Sequence, residues 1–140
     1  MDPRPLPWQL GRYRLLDHLG TGAFGSVFRA EVKGPLGFSE QLAVKLVHPS
    51  LAEAQPELLL ALADEASILS QLRHPNIVQL RSFERVDDGT GEYVALALEY
   101  VRGTTLDSVL GVVDHMGRVL PIAAVLSLLD DTLGGLGHAH

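Results

Sequence analysis

The feature that most constrains the fold is a glycine triplet between two strand-like segments. Gly20, Gly22 and Gly25 form a G-x-G-x-x-G motif, which several unrelated nucleotide-binding folds share. Glycines let backbone N–H groups approach phosphate oxygens closely, because no Cβ stands in the way. A mobile hairpin turn without a ligand has the same pattern, so the flanking sequence must discriminate between the two interpretations.

The residues after the motif indicate a strand. In a dinucleotide-binding fold the third glycine opens a helix, and an acidic residue follows about 20 positions later. Here Ser26–Ala30 continues as a strand, and the residue 20 positions after Gly25 is Lys45. A Walker A loop requires Gly-Lys-Ser or Gly-Lys-Thr, which the motif lacks. The sequence favours a strand–turn–strand flap over a nucleotide, with a dinucleotide-binding domain as a weaker alternative.

Hydrophobic periodicity and turn residues predict the order of the elements. A helix begins at Pro56 and a helical period continues over Leu58–Arg73. A capping box at Thr104-x-x-Asp107 starts a second helix, and a third begins near Pro121. The predicted strands are Tyr13–Gly20, Val27–Val32, Leu42–Val47, Ile77–Phe83 and Tyr93–Glu99. The fold class is α+β: a five-stranded antiparallel sheet with one packed helix, then two helices, after a loose Pro-rich leader at 1–11.

Lys45 is a charged residue inside the apolar run Leu42–Val47. Strand alternation places Ala43, Lys45 and Val47 on one face. The small Ala43 leaves room for a flat ring while the ammonium reaches a phosphate. A charge at this position needs a partner or a ligand; the alternative is an edge-strand lysine whose ammonium extends into solvent.

Glu65 is the candidate partner of Lys45. It is the one charged member of a helical stripe, whose other members are Leu58, Ala61, Leu62, Ile68, Leu69 and Leu72. An inward carboxylate is unfavourable unless it is paired. We therefore predict a Lys45–Glu65 salt bridge, formed directly or after a modest helix shift. The alternative is a rotated helix with Glu65 at the polar margin of the stripe, beside Asp64.

These features together resemble the eukaryotic-type serine/threonine protein kinases, above all the bacterial members. The likeness covers residues 12–140 and rests on Leu19–Val27, Ala43–Lys45, Glu65 and His74–Val78. It implies an ATP-binding N-terminal lobe over 12–101, and the hinge exit and first helices of a C-terminal lobe over 102–140. The complete domain would transfer the γ-phosphate of ATP to protein hydroxyls. A non-catalytic, pseudokinase-like nucleotide-binding or interaction module is the alternative.

The resemblance implies which residues hold the phosphates. Lys45 would bind the α- and β-phosphates and pair with Glu65, and these two are the catalytic assignments. Kinase-like lobes can swing the helix outward, so a wide Lys45–Glu65 gap is compatible with the resemblance. A Glu65 on the helix face away from the sheet would contradict it. The loop over the phosphates, with Phe24 at its tip, consists of Leu19, Gly20, Thr21, Gly22, Ala23, Phe24 and Gly25.

The resemblance also implies which residues contact the adenosine. They are Val27, Ala43, Leu98, Glu99, Val101 and Thr105. Val27 and Ala43 would pack on adenine, and Leu98 would be the gatekeeper. Glu99 and Val101 would offer hinge backbone groups to the adenine edge, and Thr105 falls near the ribose.

The catalytic apparatus of the family is expected after His140. The His-Arg-Asp loop and the Asp-Phe-Gly motif do not occur in this sequence, so we expect the 140-residue chain alone to be inactive. Magnesium is expected only in the complete domain. We predict no metal site, because His138 and His140 point apart on a helix. The adjacent Asp130 and Asp131 do not converge either.

Composition excludes several other classes of protein. The net charge is −6 and no block of Lys or Arg occurs, so a nucleic-acid partner is not expected. The absence of Cys excludes disulfides and Cys-ligated zinc. No signal peptide and no apolar run of roughly 18 residues occurs, so the expected location is the cytoplasm. The expected partners are ATP and, for the complete kinase, a protein substrate. The last helix is predicted to expose an apolar stripe: Ile122, Val125, Leu126, Leu129, Leu133 and Leu136.

Overall fold

The computed structural model describes residues 4–140 and contains six strands and four α-helices in that range. The strands are β1 (Trp8–Leu10), β2 (Tyr13–Gly22), β3 (Gly25–Lys33), β4 (Ser39–Val47), β5 (Leu80–Asp87) and β6 (Glu92–Glu99). The helices are α1 (Pro49–Ala54), α2 (Pro56–Gln71), α3 (Leu106–His115) and α4 (Ile122–Ala139), and a 3-10 turn lies at Pro35–Gly37. Among residues 4–140, no helix has the length and apolar character needed to span a membrane.

The chain divides into two compact units. We call the first the sheet unit; it contains the described residues up to Gln71 together with Gln79–Tyr100. We call the second the helical unit; it contains Leu72–Val78 and Val101–His140.

The sheet is antiparallel throughout, with the strand order β1-β2-β3-β4-β6-β5. The predicted antiparallel sheet with a packed helix, followed by helices, is confirmed. The sheet has a sixth strand, β1, within the predicted leader. Its signal is weak because it is only three residues long and follows a Pro-rich stretch, yet Leu10 is fully buried. Gly11 makes the turn into β2 with φ +53°, where a Cβ would lie 2.5 Å from Val86 Cγ1.

One face of the sheet forms the main core. Its fully buried members include Tyr13, Leu15, Val44 and Leu46. Each such large apolar side chain contributes roughly 1.5–3 kcal/mol relative to full exposure. The alternation of β4 produces this core directly, because Leu42, Val44 and Leu46 point into it. The core thus leaves the opposite face of β4 available for other contacts.

A buried tyrosine joins two strands that are not neighbours in the sheet order. The Tyr13 hydroxyl lies 2.7 Å from Ser82 Oγ and hydrogen-bonds the Glu84 carboxylate, which links β2 to β5. Burial raises the pKa of Tyr13, and its hydrogen bond to Glu84 adds to that effect. Burial also acts to raise the pKa of Glu84, but hydrogen bonds from Tyr13 and Arg12 outweigh it and lower that pKa.

Helix α2 packs on the face of the sheet opposite the main core. Leu62 forms a second buried cluster with Val47 and Val94. The predicted start at Pro56 is correct. Helix α1, which precedes it, was not predicted; His48 caps it by accepting a hydrogen bond from the Ser50 N–H at 3.2 Å.

Several predicted element boundaries are shifted by a few residues, and two of the shifts have a visible cause. Strand β5 begins at Leu80 instead of Ile77, because residues 74–77 form a turn in which the Ile77 N–H donates to His74 O at 3.1 Å. The N-cap of α3 is Thr105 and not Thr104, since the Thr105 hydroxyl accepts from the Ser108 N–H at 3.1 Å. Both errors are local shifts within otherwise correct elements.

In the helical unit, the turn at residues 74–77 packs against the last turns of α4. The Asn76 side-chain amide donates to the Asp131 carbonyl at 2.8 Å. A Cβ on Gly135 would lie 3.4 Å from Asn76 O, so the small residue permits the close approach. The His74 and His138 rings lie 5.3 Å apart. Gly135 is the only buried residue of α3 and α4.

Candidate functional site

The central strands place Lys45 in a row of half-buried and buried residues. Lys45 is in register with Val27 on β3 and with Leu96 on β6. One row along, Ala43 is in register with Leu98. Directly paired residues of antiparallel strands share a face, so Val27, Ala43, Lys45 and Leu98 share one face. These are the predicted lysine, the two predicted adenine-packing residues and the predicted gatekeeper.

The face that carries Lys45 is also the face that α2 covers. Val47 lies two residues from Lys45 and therefore on the same face. Val47 is buried against Leu62 of α2. The predicted sharing of a face by Ala43, Lys45 and Val47 thus agrees with the packing, and α2 approaches the sheet beside Lys45.

The predicted salt bridge between Lys45 and Glu65 is not present. None of the ion pairs among residues 4–140 involves either side chain. Lys45 is half-buried, whereas Glu65 is exposed. The direct form of the predicted pair is therefore absent in this conformation. The form that needs a shift of α2, and the roles of both residues, stay predictions.

The reason is the rotation of α2 about its axis. The helix buries Leu62 and Ala66 against the sheet. Successive helical residues turn by about 100°, so Glu65 lies about 60° from Leu62, whereas Asp64 lies about 160° away. Glu65 is thus at the margin of the buried stripe, as in the alternative interpretation, and not on the face away from the sheet. Burying apolar side chains is favoured over burying a carboxylate.

The glycine motif forms the predicted strand–turn–strand hairpin. Gly22 pairs with Gly25 across a turn of Ala23 and Phe24, and a strand follows Gly25. A Cβ on Gly25 would overlap the Leu46 carbonyl oxygen and lie 2.9 Å from its carbon. Packing against β4 therefore requires glycine at this position.

The other two glycines are not required by packing. A Cβ at Gly20 or Gly22 would meet nothing within 4 Å. Their small size keeps the backbone of the hairpin open to an approaching group, which is the property that a phosphate-binding loop needs. Phe24 at the turn and Leu19 before the motif are exposed.

A polar network at the base of the hairpin was not predicted. His18 Nε2 lies 3.0 Å from Thr21 Oγ1, which in turn lies 3.2 Å from Ser26 Oγ. Ser26 is buried, and the His18 ring packs edge-on against Phe28 at 5.3 Å. The network ties the two strands of the hairpin together. The hydroxyls flanking the glycines were the only sequence signal for it.

Glu99 is held by a residue that the sequence did not single out. Its N–H donates to Gln79 O at 2.9 Å, and its Oε2 accepts from the Gln79 N–H at 3.0 Å. The Glu99 N–H is therefore engaged within the sheet unit, so any contact with an adenine edge falls to its carbonyl. Gln79 thereby fixes the end of β6.

The last two predicted ligand contacts lie in the helical unit. Val101 is exposed, and Thr105 uses its hydroxyl as the N-cap of α3. The hydroxyl also lies 2.9 Å from Ser108 Oγ. Among residues 4–140, no group of three or more His, Cys, Asp or Glu side chains is arranged to hold a metal ion.

Comparison with known proteins agrees with this geometry. The family model of the protein tyrosine and serine/threonine kinases matches residues 13–132. The serine/threonine-protein kinase PknA of Mycobacterium tuberculosis is 33% identical over 141 residues, which covers 100% of this chain and 31% of PknA. The tyrosine-protein kinase MasK of Myxococcus xanthus is 30% identical over 136 residues, which covers 97% of this chain and 20% of MasK.

Solved structures show the same relationship. The crystal structure of the Mycobacterium tuberculosis PknI kinase domain has a TM-score of 0.72 and 26% identity, and the match covers 98% of this chain and 51% of that domain. The chain therefore spans a fifth to a third of these curated relatives and about half of the solved kinase domain. Because the family model matches most of the chain, the chain belongs to the family of protein tyrosine and serine/threonine kinases.

Proposed function

We propose that this chain is the ATP-binding portion of a serine/threonine protein kinase, whose complete domain transfers the γ-phosphoryl group of ATP to protein hydroxyls. The observation that carries the proposal is the environment of Lys45. It is a half-buried cation without an ion-pair partner in the described part of the chain. It shares a face with Val27 and Ala43, and it lies two residues along β3 and β4 from the Gly25–Val47 pair.

The residues suit the three parts of ATP. The open backbone at Gly20 and Gly22 offers N–H groups to phosphate oxygens. The Lys45 ammonium supplies a positive charge for the α- and β-phosphates, as in the kinase pattern. Val27 and Ala43 supply an apolar surface for adenine, and the Glu99 carbonyl supplies an acceptor for its edge.

Phosphoryl transfer needs groups outside this sequence. The His-Arg-Asp and Asp-Phe-Gly motifs, which position the acceptor hydroxyl and bind magnesium in the family, do not occur among the 140 residues. We propose that this chain binds nucleotide without transferring phosphate. In a complete domain, rotation of α2 by about 60° would bring Glu65 onto the inward face toward Lys45.

Calorimetric titration with ATP, on the wild type and on two lysine variants, tests the proposal. The chain contains two lysines, Lys45 and Lys33, so one is the test position and the other is the control. Lys45→Met removes the proposed phosphate contact. Loss of a charge-assisted hydrogen bond of roughly 1.5–3 kcal/mol corresponds to about ten- to a hundredfold weaker binding. Lys33→Met at the exposed end of β3 is the matched control and should bind like the wild type. Equal affinity of all three proteins would contradict the proposal.

The exposed Glu65 favours a second candidate, a non-catalytic nucleotide-binding module. In such a module Glu65 has no role, and Glu65→Gln should bind ATP like the wild type. In a kinase lobe, ATP binding is coupled to the inward position of α2, so Glu65→Gln should weaken it. Glu57→Gln, which changes an exposed carboxylate in the first turn of the same helix, controls for the loss of charge.

A further inference from the structure

The first described residues form a strap across the sheet unit. We call Arg4–Leu10 the N-terminal strap; it ends in β1 and begins at Arg4. The Arg4 guanidinium forms an ion pair with Asp88 and donates to Thr90 Oγ1 at 2.5 Å. Both partners lie in the turn between β5 and β6. The strap therefore reaches from the β1 edge of the sheet to the turn that follows the opposite edge strand.

The Asp88 carboxylate, which pairs with Arg4, is buried and held in place by hydrogen bonds from its own turn. The Asp88 side chain is only 2% exposed, and Oδ1 accepts hydrogen bonds from the Thr90 N–H at 2.9 Å and the Gly91 N–H at 3.1 Å. Oδ2 is buried and accepts no hydrogen bond within residues 4–140, so Arg4 balances its charge. Burial raises the pKa of Asp88, but the bonds from Thr90, the charge of Arg4 and the Gly91 N–H outweigh it and lower the pKa.

The strap continues into a chain of aromatic contacts. The Arg4 guanidinium lies over the Trp8 ring at 4.8 Å. Trp8 packs edge-on against the buried Tyr93, with ring centres 5.4 Å apart. Tyr93 in turn packs edge-on against His48, with ring centres 6.2 Å apart. The contacts therefore lead from the strap to His48, the N-cap residue of α1.

His48 connects this chain of contacts to the helices. Its Nδ1 accepts from the Ser50 N–H and lies 2.6 Å from Ser50 Oγ, which caps α1. Helix α1 packs on β6 and on α2, and Gln55 is the single residue between the two helices. A change in the orientation of His48 therefore alters the N-terminus of α1 and the anchorage of α2.

We propose that the N-terminal strap is a positioning element for α1 and α2, acting through Trp8, Tyr93 and His48. The docked strap holds the His48 ring where it caps α1. Release of the strap frees Tyr93 and His48, loosens α1 and lets α2 move relative to β4. Movement of α2 changes where Glu65 lies relative to Lys45. The effect of that change on nucleotide binding rests on the proposed function.

The single tryptophan allows docking of the strap to be measured directly. Trp8 is the only tryptophan of the chain, so its fluorescence emission reports whether the strap is packed. Arg4→Gln should shift the emission to longer wavelength. Hydrogen exchange of the Ser50–Ala54 amides should become about tenfold faster, while β3 and β4 stay protected. Arg85→Gln breaks an ion pair of the same hairpin, Arg85–Glu92 at 3.0 Å, and should change neither reading.

Four further results decide the proposal. An emission shift without faster exchange in α1 would mean that the strap stabilises only its own surroundings, and would overturn it; an unchanged emission would do the same. His48→Asn keeps a capping side chain but removes the ring contact, so adding Arg4→Gln to it should no longer accelerate exchange in α1. If Arg4→Gln also exposes β3 and β4, Thr90→Val serves as a second variant; it removes the acceptor for Arg4 and the hydrogen bond from the Thr90 hydroxyl to Asp88 but keeps the Arg4–Asp88 ion pair. This variant must shift the Trp8 emission and accelerate exchange in α1 while β3 and β4 stay protected.

The test separates the strap from the proposed function. Fluorescence and exchange are measured without nucleotide, so they do not depend on ATP binding. If Arg4→Gln loosens α1 while Lys45→Met leaves ATP binding unchanged, the strap stands and the ATP site fails. If Lys45→Met weakens ATP binding while Arg4→Gln leaves α1 unchanged, the ATP site stands and the strap fails.

Discussion

The sheet unit and the helical unit are both rich in apolar residues, but they bury them very differently. In the sheet unit, Tyr13, Val44 and Leu46 are fully buried. In α3 and α4, Gly135 alone is buried. The predicted stripe of α4 is exposed at every position: Ile122, Val125, Leu126, Leu129, Leu133 and Leu136. The sheet unit thus forms a complete hydrophobic core from its own residues, whereas α3 and α4 leave apolar faces that no second layer covers within the described residues.

Packing between α3 and α4 fits this difference. An open apolar groove of about 230 Å³ lies between them, lined by residues that include Leu110, Leu120 and Leu128. Leu110 is 47% exposed and Leu128 is 41% exposed, so these side chains stay in contact with solvent. Stability should therefore depend mainly on the sheet unit, whose apolar side chains are buried.

The largest effect should come from truncating a core residue of the sheet unit. Leu46 is 0% exposed and Leu133 is 66% exposed. Leu46→Ala should lower the free energy of unfolding by about 2–5 kcal/mol, measured by urea denaturation. Leu133→Ala, the same change in α4, should stay within about 0.5 kcal/mol. Equal losses would contradict the contrast between the two units.

A smaller effect is expected within the glycine hairpin. Gly25→Ala forces a methyl group into the Leu46 carbonyl, and such overpacking typically destabilises by about 1–3 kcal/mol. Gly22→Ala meets no atom within 4 Å and should leave the thermal midpoint nearly unchanged. If Gly22→Ala were the more destabilising variant, the assignment of Gly25 as the residue required by packing would be wrong.

The next effect concerns the pH dependence of the strap. The pKa of Asp88 is lowered below its ordinary value of 3.8, so its contribution to stability is present above that value. The contribution is lost as the pH falls from about 4 toward the folded pKa. Trp8 emission should shift to longer wavelength in this acidic range. Asp88→Asn should remove that pH-dependent step, and a shift that persists in the variant would assign it to another carboxylate.

The smallest effect should be local to the helical unit. Thr105→Ala removes the N-cap of α3 and should weaken the helix by about 1 kcal/mol. Hydrogen exchange of the first α3 amides measures the loss. Thr104→Ala is the matched control, because the Thr104 side chain does not cap the helix. The opposite ranking of the two variants would restore the capping box predicted from the sequence.

Local patterns were sufficient to predict the elements that build the site. Alternation in Leu42–Val47 placed Lys45 on the correct face, Pro56 marked the start of α2, and the residues after Gly25 continued as a strand. Each of these features depends on neighbours within a few positions. The same patterns placed the face of α2 only to within about 60°, which is why they left open whether Glu65 faces the sheet or lies at the margin of the stripe.

Long-range contacts account for what the sequence did not predict. The ion pair between Arg4 and Asp88 joins residues at opposite ends of the sheet unit. Likewise, the hydrogen bond from Tyr13 to Glu84 depends on the curl of the sheet. No periodicity within either segment signals such a partner. Strand β1 was missed for a different reason: it is only three residues long and follows a Pro-rich stretch, although its partner β2 is adjacent in sequence.

Labelling with an acyl-phosphate derivative of ATP tests whether Lys45 contacts the phosphates of bound ATP. Such a reagent acylates a lysine amine that lies next to the bound phosphates and releases ATP, and mass spectrometry identifies the modified residue. With only Lys33 and Lys45 as lysine targets, the account predicts labelling of Lys45 in preference to Lys33, suppressed by excess unmodified ATP. Equal labelling of both lysines, unaffected by ATP, would contradict the assignment of Lys45 as the phosphate contact.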